Sequence, residues 1–453
     1  MLDVINPTTG KVARQFPLAN QKIIEKKLAK AAQAYPEWRA LSFAERGEYL
    51  RKVANTLREQ SKKHSALMTE EMGKPVVEAL GEVEKSAGGC EHYADKAEDY
   101  LAPQEIPSDA KKSWVQFQPL GTVLGILPWN SPYWLATRVF APALMAGNTV
   151  ILKHDSHVPG CAEAIEQAFI DAGVPSGVLQ VVITDHSHAE AMIRDPRISA
   201  VSFTGSTRGG SQVAAIAASE IKPAVLELGG SDPAIVLAGA DLDKAVDVLA
   251  TSRFICAGQS CIAAKRLLIE ESVYPEFVEK MTQRLAALRV GDPTQADTEI
   301  GPIARDGLRQ ELHKQVEDSV KRGAKCIMGG KIPEGPGSFY PVTLLTDVPL
   351  DAAAFTEETF GPIAALRAVK DVDEAFSIAN ATVYGLGASI WTETNKGAKL
   401  AARFEAGQVA VNGIVKSDPR LPSGGIKRSG YGKELGPHGI REFVNSQQIW
   451  QGE

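Results

Sequence analysis

Cysteine is scarce in this chain, and no long apolar run occurs. Only five cysteines stand among 453 residues: Cys90, Cys161, Cys256, Cys261 and Cys326. An odd, scattered set argues against a disulfide scaffold and for a reduced, cytoplasmic protein. The most apolar stretch, Val139 to Leu152, is broken by Pro142, Gly147 and Asn148; a membrane helix needs about 20 apolar residues. The opening MLDVINPTTG has neither the basic nor the apolar region of a secretory signal. Excess positive charge is also missing. A net charge of -6 is opposite to the basic footprint of a general nucleic-acid binder. Of the eight histidines, His186 and His188 form the one suggestive pair, but no third ligand pattern accompanies them, so no metal is expected.

What the chain does have is ordinary globular composition, 44% apolar and 23% charged, over a length that suggests two or three domains. Helical periodicity dominates the first third: Ile23, Ile24, Leu28 and Ala31 share a face, as do Leu50, Val53 and Leu57. Lys111 to Gln118 reads as a strand. From Gly121 onward short apolar runs (121–127, 149–152, 178–183, 200–203 and 234–237) alternate with helix patterns at 161–172, 189–194 and 210–219. A second set follows: helices at 242–253, 275–288, 305–322 and 396–404, and strands at 265–270, 388–391 and 408–412. Such alternation implies right-handed crossovers and parallel sheets. The expected fold is α/β, with two open parallel-sheet lobes and a cleft between them.

Four segments carry candidate chemistry. Phe203-Thr204-Gly205-Ser206 leads from a strand into a Gly-rich turn and a helix expected to begin near Gly210, a place where backbone amides can approach a phosphate; most such turns are only turns. Leu226-Glu227-Leu228-Gly229-Gly230 embeds a carboxylate among leucines. Burial raises a carboxyl pKa toward the range of a general base, although a Glu capping a turn is the commoner case. In Gly258-Gln259-Ser260-Cys261, small polar residues lead to a thiol suited to nucleophilic attack. Buried, inert cysteines are more frequent, and Cys90, Cys161 and Cys326 are read that way from their apolar surroundings. Pro128-Trp129-Asn130-Ser131-Pro132 could fix an amide as an oxyanion donor, or simply close a turn.

Taken together with Leu152-Lys153, Glu358-Thr359-Phe360-Gly361-Pro362 and Gly424-Gly425-Ile426-Lys427-Arg428-Ser429-Gly430, these segments resemble the aldehyde dehydrogenase superfamily. The likeness covers nearly the full length, in family order, and comes nearest to the bacterial succinate-semialdehyde branch. It implies a Rossmann-like cofactor domain (1–110 and 120–228), a catalytic domain (229–423), and a small β oligomerisation element with a tail (111–119 and 424–453). By the resemblance Cys261 attacks an aldehyde, Asn130 and the Cys261 amide hold the oxyanion, and Glu227 activates water to release the acid. Trp129, Lys153, Ser156, Gly205, Ser206, Glu358 and Phe360 would bind the cofactor. The resemblance also implies a homodimer or homotetramer acting on a small aldehyde.

For the cofactor, many NAD-preferring relatives carry Glu where this chain has Ser156; serine removes a repulsion against a 2′-phosphate. Asp155 pulls the other way. NADP is expected, with NAD also usable. For the substrate, Arg138 lies eight residues after Asn130, where relatives that oxidise succinate semialdehyde place an arginine for the distal carboxylate. Ser417 and Arg420 would add contacts. Three departures stand out. Ile255 replaces an arginine found in many such relatives, Ser423 replaces a Phe, and Cys256 replaces an Asn and invites a test for a redox bridge to Cys261. The competing readings are a dehydrogenase of glutarate semialdehyde or an uncharged aldehyde, a coenzyme A-acylating enzyme, and a cofactor-independent thiol hydrolase.

Overall fold

Apolar runs buried on both faces build the two sheets that organise this molecule. The computed structural model describes residues 1–452. In the first sheet the strand order is Gly430–Tyr431, Ala224–Glu227, Ile198–Thr204, Thr122–Leu127, Thr149–His154, Leu179–Val181. All neighbours run parallel except the first pair. Thr122–Leu127 and Thr149–His154 are buried at every position, as strands covered by helices on both faces must be. Helices Pro132–Met145, Pro159–Asp171 and Thr207–Ser219 return the chain between strands. Four helices from the first third, Gln21–Ala40, Phe43–Glu59, Ser61–Met72 and Val76–Tyr100, pack around this lobe.

The second sheet has the order Lys325–Met328, Thr343–Thr346, Ile363–Val369, Ala264–Glu270, Asp232–Val236, Gly387–Trp391, Gln408–Val411. It is parallel except at its first edge. Separate apolar cores fill its two faces. Lys112–Pro119 forms a small antiparallel sheet with Val444–Gln451 and Gln104–Glu105. The expected two-lobed α/β architecture is therefore present.

Several local expectations need correction. The helix after Phe203 starts at Thr207, three residues early, because the Ser206 hydroxyl accepts from the Gly209 amide at 3.2 Å and caps it. Ile363–Val369, IAALRAV, is a central strand that an Ala-rich pattern conceals. The 396–404 helix ends at Leu400 and tightens into a 3-10 turn. Cys326 is exposed rather than buried, since its edge strand leaves one face to solvent. Within the expected tail, Gly430–Tyr431 instead pairs with Ala224–Glu227.

The helix Pro132–Met145 is held at its N-terminus by Glu82, whose Oε1 accepts from the Tyr133 and Trp134 amides at 2.9 and 3.1 Å. The other oxygen of Glu82 pairs with the buried Lys74 ammonium. Glu82→Ala should strand that ammonium and uncap the helix. A stability loss of about 3 kcal/mol or more is expected, read as a fall in melting temperature by circular dichroism.

Candidate active site

Cys261 lies in a loop that ends a tight turn. Cys256, Ala257 and Gly258 have φ of 55°, 52° and 73°, three successive left-handed residues. For the two that carry a Cβ this costs about 1–2 kcal/mol each. Of the neighbours that hold the turn, Arg253 and Gln259 are buried and Glu78 is half-buried. Glu78 accepts from the Cys256 amide at 2.9 Å, and Gln259 closes back on the Cys256 carbonyl through both its backbone and side-chain N–H. Arg253 donates to the carbonyls of Gly258, Thr359 and Gly361. The fully buried Lys265 donates to the carbonyls of Ser260 and Cys261 at 2.9 and 2.7 Å and stands 3.6 Å from Glu358. An added Cβ at Gly230 would lie 2.8 Å from the Cys261 carbonyl, so the Gly-Gly turn after Glu227 lets the Cys261 loop pack close against it. Burial pushes the Cys261 thiol up to about 11, while Lys265 and Arg138 pull it back toward the thiolate.

Glu227 closes the strand Ala224–Glu227 and is 3% exposed. Burial raises its carboxyl to about 7, opposed by Arg138 and assisted by Glu434. Its Oε2 accepts from Arg138 Nη2 at 2.9 Å, whereas Oε1 has no partner among the described residues. That free oxygen is what a base needs. Gly424, at φ +147°, passes so close that an added Cβ would lie 2.7 Å from it.

Asn130 joins the two parts. Its Nδ2 donates to the Gln259 carbonyl at 3.0 Å, fixing the amide against the Cys261 loop and leaving a second N–H to donate. Trp129 packs edge-on to Phe360, with ring centroids 5.7 Å apart. Glu358 accepts from the Gly230 amide at 3.1 Å. Lys153 is buried and forms no ion pair among the described residues; half-buried Ser156 and the Gly205–Ser206 helix start supply hydroxyl and amide donors. This donor set suits a phosphate-bearing ligand. Asp155, the expected opposing charge, is turned onto the amide and ring of His157 at 3.0 and 2.5 Å.

The substrate candidates fare differently. Arg138 is not a free cation: it is 4% exposed and paired with both Glu227 and Glu434. Arg420 is largely exposed and folded onto Asp418 at 2.6 Å. Ser417 is buried, and its Oγ accepts from Trp134 Nε1 at 2.7 Å and from Lys85 Nζ at 3.0 Å. Sequence reasoning missed Arg253, Lys265, Glu434 and Lys85. Arg253 and Lys265 left one trace, charges inside apolar helix and strand patterns; Glu434 and Lys85 left none.

Residues 1–449 match the model of the aldehyde dehydrogenase family. A probable succinate-semialdehyde dehydrogenase [NADP(+)] of Synechocystis sp. is 47% identical over 447 residues, 98% of each chain. A succinic semialdehyde dehydrogenase of Streptococcus pyogenes, solved in complex with NADP+, superposes with a TM-score of 0.97 at 34% identity, covering all of both chains. Lactaldehyde dehydrogenase of Escherichia coli gives 0.97 at 34% identity, covering 100% of this chain and 96% of its own. Backbone likeness therefore does not separate these two substrates.

Arg138→Met should leave Glu227 facing Glu434 without a cation and raise the Glu227 pKa above about 7. A carboxyl with a raised folded pKa binds its proton more tightly when folded, so stability falls as pH climbs toward that pKa. The variant's loss of melting temperature should be greater at about pH 9 than at about pH 6. Equal losses would show that Arg138 does not hold the Glu227 charge.

Proposed function

The chain belongs to the aldehyde dehydrogenase family, and on that premise we propose that it oxidises succinate semialdehyde to succinate, with NADP as hydride acceptor and Cys261 carrying the acyl group as a thioester. The observation that carries this reading is a buried carboxylate, Glu227, with one oxygen free, whose charge acts on the Cys261 thiol together with that of its partner Arg138. The six-stranded lobe is the proposed cofactor domain and the seven-stranded lobe the catalytic domain.

In the first step the Cys261 sulfur bonds the aldehyde carbon and its proton passes to water. Lys265 and Arg138 favour the negative sulfur. The second Asn130 N–H and the Cys261 amide receive the charge developing on oxygen. A nicotinamide held here would accept the hydride from the adduct's carbon, which leaves the acyl group on Cys261 as a thioester. Lys153, Ser156, Ser206 and Glu358 would hold the cofactor, with Trp129 and Phe360 forming an aromatic wall beside it. Glu227 then takes a proton from water as the water oxygen bonds the thioester carbon. The C–S bond breaks, giving the acid and the Cys261 thiol. A built-in base for water favours hydrolysis over transfer to coenzyme A. Because Ser156 carries no charge and Asp155 is turned onto His157, the pocket tolerates a 2′-phosphate.

The exposed strand Val444–Gln451 lies at the open edge of the small sheet, with Trp450 half exposed. An uncovered edge of this kind calls for a second chain, and we assign homo-oligomerisation to it. No helix is long and apolar enough to cross a membrane among the described residues, and five unpaired cysteines suit the reducing cytoplasm.

Absorbance of reduced cofactor tests the reading directly. Succinate semialdehyde with NADP should give steady turnover independent of coenzyme A; acid formation without reduced cofactor would establish a thiol hydrolase instead. Cys261→Ala should abolish turnover, and Glu227→Gln should give one burst of reduced cofactor and then stall. In the native enzyme the hydrolytic step should speed up as pH rises through about 7, because the base acts only once it has lost its proton. Ser156→Glu should raise the KM for NADP by about tenfold or more while sparing NAD.

A further inference from the structure

Arg305 is a cation that the fold leaves without a partner. It precedes the helix Asp306–Lys321, which packs on the seven-stranded lobe. The neighbouring charges are taken: Asp306 pairs with Arg309, whose Nη1 also donates to the Gly337 carbonyl at 2.9 Å. Arg305 forms no ion pair among the described residues, and its Nε is buried without an acceptor. A buried donor in that state is costly unless a ligand supplies the acceptor. Its backbone is anchored beside the thiol. The preceding Ala304 amide donates to Gln259 Oε1 at 2.9 Å, and the Gln259 carbonyl is the one that receives the Asn130 amide. From there the guanidinium reaches the six-stranded lobe, where it stands over the Trp129 ring, 6.0 Å from the centroid. Contact with a ring face leaves the N–H edge of the guanidinium free to donate.

Trp129 follows the strand Thr122–Leu127, which has Ile198–Thr204 on one side and Thr149–His154 on the other. The Ser206 helix start, suited to a pyrophosphate, follows the first of these neighbours; Lys153 and Ser156 lie at the end of the second. Arg305 belongs to the Lys153 and Ser156 side. There the Asp155 amide donates to the Leu127 carbonyl at 2.8 Å, which holds the two strand ends together beneath Trp129. Burial opposes ionisation of Asp155, but the hydrogen bonds of the His157 ring and amide outweigh it and Arg305 adds to them, so the carboxyl stays below its usual range. Asp155 is therefore a full negative charge one residue from Ser156. A phosphate seated on Ser156 meets that charge from its own lobe, and Arg305 offsets it from the other.

We propose that Arg305 donates to the ribose 2′-phosphate of NADP from across the cleft, so that the site selects NADP over NAD instead of merely tolerating it. The proposal rests on the cofactor reading above and extends it to a residue outside every motif described. Cofactor choice is then shared between the lobes: Ser156 removes a repulsion in one, and Arg305 supplies an attraction from the other. A guanidinium suits the task because its planar fork meets two phosphate oxygens at once and its charge does not titrate. NAD presents only a hydroxyl at the same place, which needs no cation, so its binding does not draw on Arg305.

The test uses two nucleotide fragments and needs no turnover: 2′,5′-ADP carries the 2′-phosphate and 5′-AMP lacks it. Titration calorimetry should show native protein binding 2′,5′-ADP the more tightly. Arg305→Gln should weaken 2′,5′-ADP about tenfold or more and shift 5′-AMP by less than about twofold. Arg305→Lys, which keeps the charge and loses the fork, should recover part of the difference. With succinate semialdehyde as substrate, Arg305→Gln should raise KM for NADP about tenfold relative to that for NAD. Melting curves verify that both variants are folded. Folded variants that bind both fragments as the native protein does, or lose both equally, would show the assignment to be wrong. Native protein that binds 5′-AMP as tightly as 2′,5′-ADP would overturn the NADP reading itself, and this assignment with it.

Discussion

Arg138 sits where three distant parts of the chain meet, out of reach of water. The helix Pro132–Met145 delivers it, the strand end at Glu227 meets it from one side, and Glu434 from the C-terminal segment meets it from another. Each of these ions left alone in such a place would cost several kcal/mol. Together they tolerate burial only while all remain in register. Ser202 donates to Glu434, and Gly430–Tyr431 pairs with the strand that ends in Glu227. The C-terminal segment is thereby bound across the first sheet, with Gly424 against the Glu227 carboxylate. Orientation of Glu227 and the path of residues 423–434 follow from one compensated charge cluster, while burial raises the Glu227 pKa against the pull of Arg138.

The Cys261 loop is held by the same physics with a different acceptor. Arg253 and Lys265 are buried cations whose hydrogen bonds go mainly to backbone carbonyls of the loop and of the 359–361 segment. Backbone dipoles here replace the water that a charged group would otherwise keep. Strain in the left-handed turn persists because these contacts over-determine it, as is usual where geometry serves chemistry. The lobes can then differ in sequence while the thiol, the amide and the carboxylate keep their relation.

Legibility in the sequence followed the range of the interactions. Cys261, Glu227 and Asn130 were singled out by the joint occurrence of their segments in family order, since each segment alone favoured a buried thiol, a capping Glu or a turn. The parallel sheets were visible because a buried strand needs a continuous apolar run. Ile363–Val369 was missed because alanine carries little strand signal, although its burial is complete over the first four positions. Cys326 was misread because an apolar neighbourhood in sequence does not say which edge of a sheet a strand occupies. The ion pairs of Arg138 were not legible because its partners lie 89 and 296 positions away, and no local pattern announces them.

What the sequence determined by itself is the chemistry available: a thiol, an amide, a carboxylate among leucines, and a serine where a repelling charge would otherwise stand. These are properties of side chains in short segments, and folding does not change their kind. Only the tertiary structure decided which charges are free. Arg138 and Arg420 carry equal formal charge, yet one is neutralised by two buried carboxylates and the other is folded onto Asp418. Lys85, silent in the sequence, keeps its charge uncompensated beside Ser417. Coulomb energy depends on distance and on exclusion of water, and a chain acquires both only by folding.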